Sequence, residues 1–377
     1  MMDSTDSHRL PERPLRVVIA PDEFGGTLAA AAAAAAMADG WASARPADRI
    51  TLAPQSDGGP GFLDVLGAAD CGTPRSATVS GPLGDPTRAH WLLAGRTAYI
   101  EAAQACGLAL LGRPPDPDTA LRADTRGVGE LVAAALAAGV DRIVVGLGGS
   151  ASTDGGRGLC EALGGVDAAR RTLSSVDLVA ATDVDNPLLG PHGAAAVFGP
   201  QKGADPDHVR LLEERLRRWA DQLEAGARGG GRRPLRERPG SGAAGGLGYA
   251  LLALGAVRES GASVVAEATR RARLIADADL VITGEGRFDA QSARGKVVAA
   301  VTREAAGHGV PVFVVAGQVD PDADMRSTAG VWSLATHRGS VAAAMSRPAA
   351  GLRDLVRRIA VDAGRGGMRE YGSDEYG

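Results

Sequence analysis

The sequence predicts an α/β fold, and three observations carry that expectation. Short β-branched runs alternate along the chain with longer stretches that suit helices. Several of those runs are apolar throughout, as in strands covered on both faces of a mainly parallel sheet. Glycine, aspartate and serine gather directly after them, at the strand ends where open α/β sheets hold ligands.

Taken in order, the first expected strand is "LRVVIAP" (15–21). A helix over 27–44 follows, capped by Thr27 and carried by a run of alanines. "RITLAP" (49–54) and "TAYIEA" (97–102) are the next strands, and a helix over 122–139 leads into "DRIVVGLG" (141–148). After the strand "DLVAAT" (177–182) come helices over 206–226 and 262–275, separated by a Gly/Arg/Pro-rich stretch (226–242) expected to be an exposed loop. "DLVITG" (279–284), a helix over 293–307, "PVFVVA" (311–316) and a helix over 341–362 complete the pattern.

A chain of 377 residues has room for two cores. The expected division is a doubly wound domain from 15–75 with 265–363, a second α/β domain over 76–264, and disordered tails at 1–14 and 364–377. A net charge of −4 and only 3% aromatics argue against nucleic acid or an anionic membrane as partner. Cys71, Cys106 and Cys160 lie far apart, which argues against zinc clusters and disulfide frameworks. The first 14 residues lack a hydrophobic signal core, and the longest apolar run, eight alanines at 29–36, is too short to span a bilayer. A soluble cytoplasmic protein is the expectation.

The motifs sit where the fold would use them. "GLGGSASTDGGRG" (146–158) combines six glycines with Ser150, Ser152, Thr153 and Asp154, but no lysine. It is neither a P-loop nor a G-x-G-x-x-G turn. Bare backbone lets N–H groups approach an anion, phosphate or carboxylate. "ATDVDNPLLGPHG" (181–193) carries Asp183, Asp185 and Asn186 just after a strand. That is either an ordinary turn exit or a carboxylate placed as general base or magnesium ligand. "TGEGRFDAQSARGK" (283–296) offers Glu285, Asp289, Gln291 and Lys296, a set suited to magnesium and phosphate. "PGSGAAGGLG" (239–248) is a flexible turn or a phosphate cradle, and Lys202 in "FGPQKGA" (198–204) reads alone as a solvated charge. The six histidines are scattered and form no nucleophile triad or H-E-x-x-H site.

These strings, together with "VVIAPDEFGGTL", "SDGGPG", "SGPLGDP", "IEAAQACGL" and "DTRGVGEL", resemble in their order the bacterial glycerate kinase family. The similarity runs from Arg16 to the 340s. It implies two α/β domains, one flavodoxin-like and doubly wound, with an active-site cleft between them. It also implies transfer of the ATP γ-phosphate to D-glycerate, most often at the 2-hydroxyl, with Mg2+. Carried onto this chain, Asp183 becomes the general base. Asp57, Arg126, Gly148, Gly149, Ser150, Asp154 and Asn186 become substrate contacts. Lys202, Gly245, Gly246, Glu285 and Lys296 are placed on the nucleotide side, with Asp289 on the metal; for Glu285, Asp289 and Lys296 that placement is an inference from their own chemistry. The chain departs from the family pattern at Glu23 (usually serine), Gly25 (usually lysine) and Pro60 (usually glutamate), and is shorter between "EALGG" and "DLVAAT". These departures leave open a non-catalytic nucleotide- or metabolite-binding homologue, or a kinase for another 2-hydroxy acid. A nicotinamide-dependent dehydrogenase lacks its fingerprint here.

Overall fold

The computed structural model describes residues 10–11, 13–225, 234–289 and 297–365. Most of the two expected tails lies outside the described residues, as do residues 226–233 and 290–296, which include Gln291 and Lys296. The described end of the N-terminal tail is tied down: Leu10 is buried and its N–H donates to Ala363 O at 3.3 Å, while Arg13 pairs with Asp279 at 2.9 Å.

The chain forms two compact units. One combines residues up to Ser56 with those from Val265 onward, and the other spans Asp57–Val264. The division falls after Ser56 because the helix Phe62–Ala68 packs on strands of the second unit, burying Phe62, Leu63, Val65 and Leu66.

Numbered along the chain, the strands are β1 (Arg16–Ile19), β2 (Arg49–Leu52), β3 (Thr73–Ser80), β4 (Pro86–Ala94), β5 (Thr97–Glu101) and β6 (Arg142–Gly146). They continue with β7 (Asp177–Ala181), β8 (Val257–Glu259), β9 (Leu280–Phe288), β10 (Val312–Val319) and β11 (Gly330–Ser333). The first unit holds the sheet β11-β10-β9-β1-β2, parallel throughout. Counted within that unit the order is 2-1-3-4-5, the flavodoxin type, and its direction of winding reverses between β1 and β9. Ile19, Ile282 and Val315 of the sheet share one core with Met37 and Trp41 of the helix Ala30–Ala44 and Val356 of the helix Pro348–Arg365.

The second unit holds the sheet β3-β4-β5-β6-β7-β8. β3, β4 and β5 are antiparallel, and β5 through β8 are parallel. Ile100, Ile143 and Val145 pack with Leu131 of the helix Arg126–Ala137 and Leu247 of the helix Ala243–Ala253. Leu212 and Leu216 of the helix Pro206–Ala225 cover a second cluster that contains the buried Tyr249.

The seven expected strands are all present. Three helix expectations need correction. Thr27 does not cap the first helix: Ala29 stands at the cap, and the Thr27 hydroxyl donates to Phe24 O at 2.6 Å inside the preceding turn. The 262–275 helix is two, Gly261–Ala268 and Arg271–Ala276, broken where Arg270 turns left-handed at φ 54°. The 341–362 helix is likewise two, Val341–Ser346 and Pro348–Arg365, because Pro348 cannot donate backward and starts a new helix instead. Among the described residues no helix is long and apolar enough to cross a membrane.

Candidate active site

In the second unit, β6 and β7 run side by side, with Gly146 opposite Ala181, so the segments leaving them emerge together. Asp183 lies two residues beyond β7. The loop Asp57–Gly61 crosses these strand ends at backbone contact. A Cβ built on Gly58 would lie 2.9 Å from Ala181 O, and one on Gly148 only 2.4 Å from Gly59 Cα. Only glycine permits that approach, which brings Asp57, Gly148, Gly149 and Asp183 into one group. Pro60 closes over Gly149, where an added Cβ would meet its ring at 2.5 Å.

Asp183 is half-buried. One carboxylate oxygen accepts the Ala262 N–H at 3.2 Å, at the start of the helix Gly261–Ala268, and the Ser260 side chain donates to it as well. Burial pushes this carboxyl above the ordinary aspartate range and the charge on Asp57 adds to the effect. The two hydrogen bonds and Arg258 pull it back without cancelling the rise. Asp57 is exposed and folds its own oxygen onto the Gly59 N–H at 3.0 Å.

The glycine-rich segment after β6 divides into two halves. The N–H groups of Gly148 and Gly149 find no acceptor among the described residues, and Gly149 is exposed at φ 65°. The second half is committed internally. The Asp154 carboxylate accepts from Thr125 N–H (3.0 Å), Thr125 Oγ1 (2.8 Å), Gly156 N–H (3.1 Å) and Gly158 N–H (2.9 Å), which caps the helix Arg157–Ala162. The Gly155 N–H donates to Gly245 O at 3.0 Å. Gly245 and Gly246 are buried behind this half: a Cβ on Gly245 would lie 1.9 Å from Ser152 O, and one on Gly246 2.8 Å from Gly155 Cα.

Lys202 is the residue whose setting differs most from its sequence reading. It is 3% exposed, and its Nζ donates to Ser150 Oγ at 3.0 Å and Ser152 O at 2.5 Å. Burial pulls its ammonium down to about 8, against the opposing pull of Cys106 and Asp154. The Ser150 hydroxyl is therefore engaged from beneath. Arg126 pairs with Glu161 at 2.9 Å, and Asn186 donates to His192 O at 2.8 Å, within its own turn. Asp185 pairs with Arg258 at 2.7 Å. None of the three cysteines is in a disulfide; Cys106 and Cys160 are buried, which pushes each thiol up to about 12, whereas Cys71 is partly exposed.

In the first unit, the carboxyl ends of β1 and β9 flank the winding reversal and gather oxygen donors. Asp22 and Glu23 follow β1, and their main chain continues the pairing with β9: the Asp22 N–H donates to Gly284 O at 2.8 Å, and the Gly286 N–H to Glu23 O at 3.2 Å. Glu285 lies in β9 itself, 5% exposed, with Asp289 just beyond the strand. Among the described residues no three His, Cys, Asp or Glu side chains form a ready metal cage. A magnesium ion arriving with a nucleotide needs only one or two carboxylates besides phosphate oxygens, and this all-oxygen set fits one. Gly25, on the neighbouring turn, is exposed at φ 55°.

Sequence reasoning missed Glu101. It ends β5 opposite Gly146 of β6, is 3% exposed, and its Oε2 accepts the Leu63 N–H at 3.2 Å. The signal was available in "IEAAQACGL": a lone acid closing an apolar strand, directly before a small-residue helix.

The sequence matches the glycerate kinase family over residues 17–171 and 165–363. It is 41% identical over 347 residues to a glycerate kinase from Bacillus subtilis, covering 85% of this chain and 89% of that one. It is 37% identical over 357 residues to a glycerate 2-kinase from Escherichia coli, covering 87% and 92%. The crystal structure of a candidate glycerate kinase 2 from Salmonella typhimurium LT2 superposes with a TM-score of 0.73 at 33% identity, covering 94% of this chain and 99% of that one. With matches of this extent to sequence and structure alike, the chain belongs to the glycerate kinase family.

Proposed function

We propose that this chain phosphorylates D-glycerate with ATP at the 2-hydroxyl, giving 2-phosphoglycerate and ADP, in the cytoplasm. The observation that supports this most is the group at the ends of β6 and β7: a half-buried carboxyl raised above its ordinary range beside two glycine amides that find no acceptor among the described residues. A three-carbon hydroxy acid offers little apolar area, so hydrogen bonds must hold it. The N–H groups of Gly148 and Gly149 bind the substrate carboxylate, and Asp57 takes a hydrogen bond from its hydroxyl groups. Asp183 orients the 2-hydroxyl and accepts its proton as that oxygen attacks the γ-phosphorus. The new O–P bond forms as the bond to the β,γ-bridging oxygen breaks, and ADP leaves with that electron pair. The raised Asp183 carboxyl suits this role because a base works best when its affinity for the proton approaches the operating pH.

Glu285 and Lys296 serve the nucleotide, and Asp289 with Glu285 would hold magnesium. Bound with ATP, that ion neutralises charge on the phosphoryl oxygens. Lys202, Gly245, Gly246 and Asp154 act from behind, as the frame that shapes the glycine-rich segment. Arg126 and Asn186 are the further candidates for substrate contact. The Escherichia coli relative, a glycerate 2-kinase, favours the 2-position.

An acceptor screen with ATP and magnesium, followed by NMR of the phosphorylated product, tests the assignment. The expected result is 2-phosphoglycerate from D-glycerate, abolished in Asp183→Ala. Binding without turnover would identify a non-catalytic homologue instead, and faster turnover of another 2-hydroxy acid would reassign the acceptor.

A further inference from the structure

We propose that Glu101 is the positioning residue of the substrate-side loop: anchored at the end of β5, its buried carboxylate holds the main-chain N–H groups of Gly61 and Leu63 and so fixes where Asp57 and Pro60 stand over Gly148 and Gly149. The inference rests on the reading of that loop as substrate-side.

The helix Phe62–Ala68 begins at Gly61, at φ 87°, with no side-chain cap of its own. Its first amides need an acceptor. Glu101 supplies one from 38 residues along the chain, with Oε2 at 3.2 Å from the Leu63 nitrogen and the Gly61 N–H near enough to favour the charged carboxylate. Because Glu101 is fixed in register opposite Gly146, the same side chain ties the loop to β6, from which Gly148 and Gly149 emerge. A short loop pinned at this end and crossed by Gly58 over Ala181 has little freedom left at Asp57.

Burial raises the Glu101 carboxyl to about 7, with the nearby Asp64 adding, against the bonds from Leu63, Gly61 and Gln104. Asp64, on the helix it caps, is the charged group facing it. β6 opposes it with Gly146, the helix Ala103–Cys106 presents Gln104, and β4 presents the exposed His90, whose main-chain N–H lies 3.4 Å from Gln104 Oε1. Protonation near neutrality replaces an anionic acceptor with a weaker one, so the loop loosens as the pH falls.

Steady-state kinetics of wild type and Glu101→Gln between pH 6 and 8 test this. In wild type, KM for glycerate rises about tenfold from pH 8 to pH 6. In Glu101→Gln it is already about tenfold higher at pH 8 and flat across the range, with kcat changing much less, and Glu101→Asp recovers part of the loss. A Glu101→Gln KM within about twofold of wild type, with the same pH dependence, overturns the proposal. Should that variant not fold, hydrogen exchange of the 57–64 segment in wild type, corrected for intrinsic rate, decides the matter. Protection that falls from pH 8 to pH 6 supports the anchor, and pH-independent protection overturns it. Failure of wild type to phosphorylate glycerate would overturn the functional reading alone, since the exchange measurement judges the anchor separately.

Discussion

Asp154 and Asp183 follow adjacent strands of one sheet, and the sequence offers both as site residues, yet their surroundings divide them. Asp154 accepts four hydrogen bonds from Thr125, Gly156 and Gly158, all inside its own framework. Asp183 accepts from Ala262 and Ser260, and burial raises its carboxyl above the ordinary aspartate range. A carboxylate saturated by backbone donors is a joint; one left under-coordinated beside unpartnered amides can do chemistry. The same division splits the glycine-rich segment, open at Gly148–Gly149 and committed from Asp154 onward.

The contrast is broken most directly by removing each acid. Asp183→Ala should lower kcat by about a thousandfold or more, with stability reduced by only about 1 kcal/mol for the lost cap, measured by coupled ADP release and denaturant unfolding. Asp154→Ala should do the reverse, costing about 3 kcal/mol of stability by leaving donors of Thr125, Gly156 and Gly158 unpaired. If Asp154→Ala is as stable as wild type but inactive, the division is wrong. Asp57→Asn sharpens it further. Asp183 must be unprotonated to act, so kcat falls as the pH drops through its raised value. Removing the charge on Asp57 lowers that value, and the acidic limb of kcat should move to lower pH. The smallest effect belongs to Gly25→Lys, which introduces the residue that the family resemblance leads one to expect there. Gly25 holds φ 55°, so the change should cost about 1 kcal/mol in thermal or denaturant unfolding.

Much of the fold is legible because buried parallel strands carry short runs of apolar, mostly β-branched residues, such as "IVV" in β6 and "LVI" in β9. β3 is not, since "TPRSATVS" is exposed over most of its length and has no continuous apolar signature. The helix Ala243–Ala253 hides in a string of glycines because its left-handed residues at 244–246 are stabilised only by the segment packed on them. At the site, the loops are visible as glycine clusters, but their direction is not. Lys202 reads as a surface cation because the acceptors that satisfy its ammonium when buried, Ser150 Oγ and Ser152 O, lie some fifty residues earlier. Glu101 escapes for the same reason, since its partner helix is 38 residues away. Local chemistry can be read from the string, whereas which side of a loop faces inward is set by distant chain.

The burial of Cys106 and Cys160 has a practical use. With both thiols held almost wholly protonated and shielded, a maleimide dye at neutral pH should react at Cys71 alone. Cys71 follows directly on the helix capped by Glu101, its N–H bonded to Leu66 O at 2.9 Å. An environment-sensitive fluorophore there would report the seating of that helix in real time, in the unmutated protein.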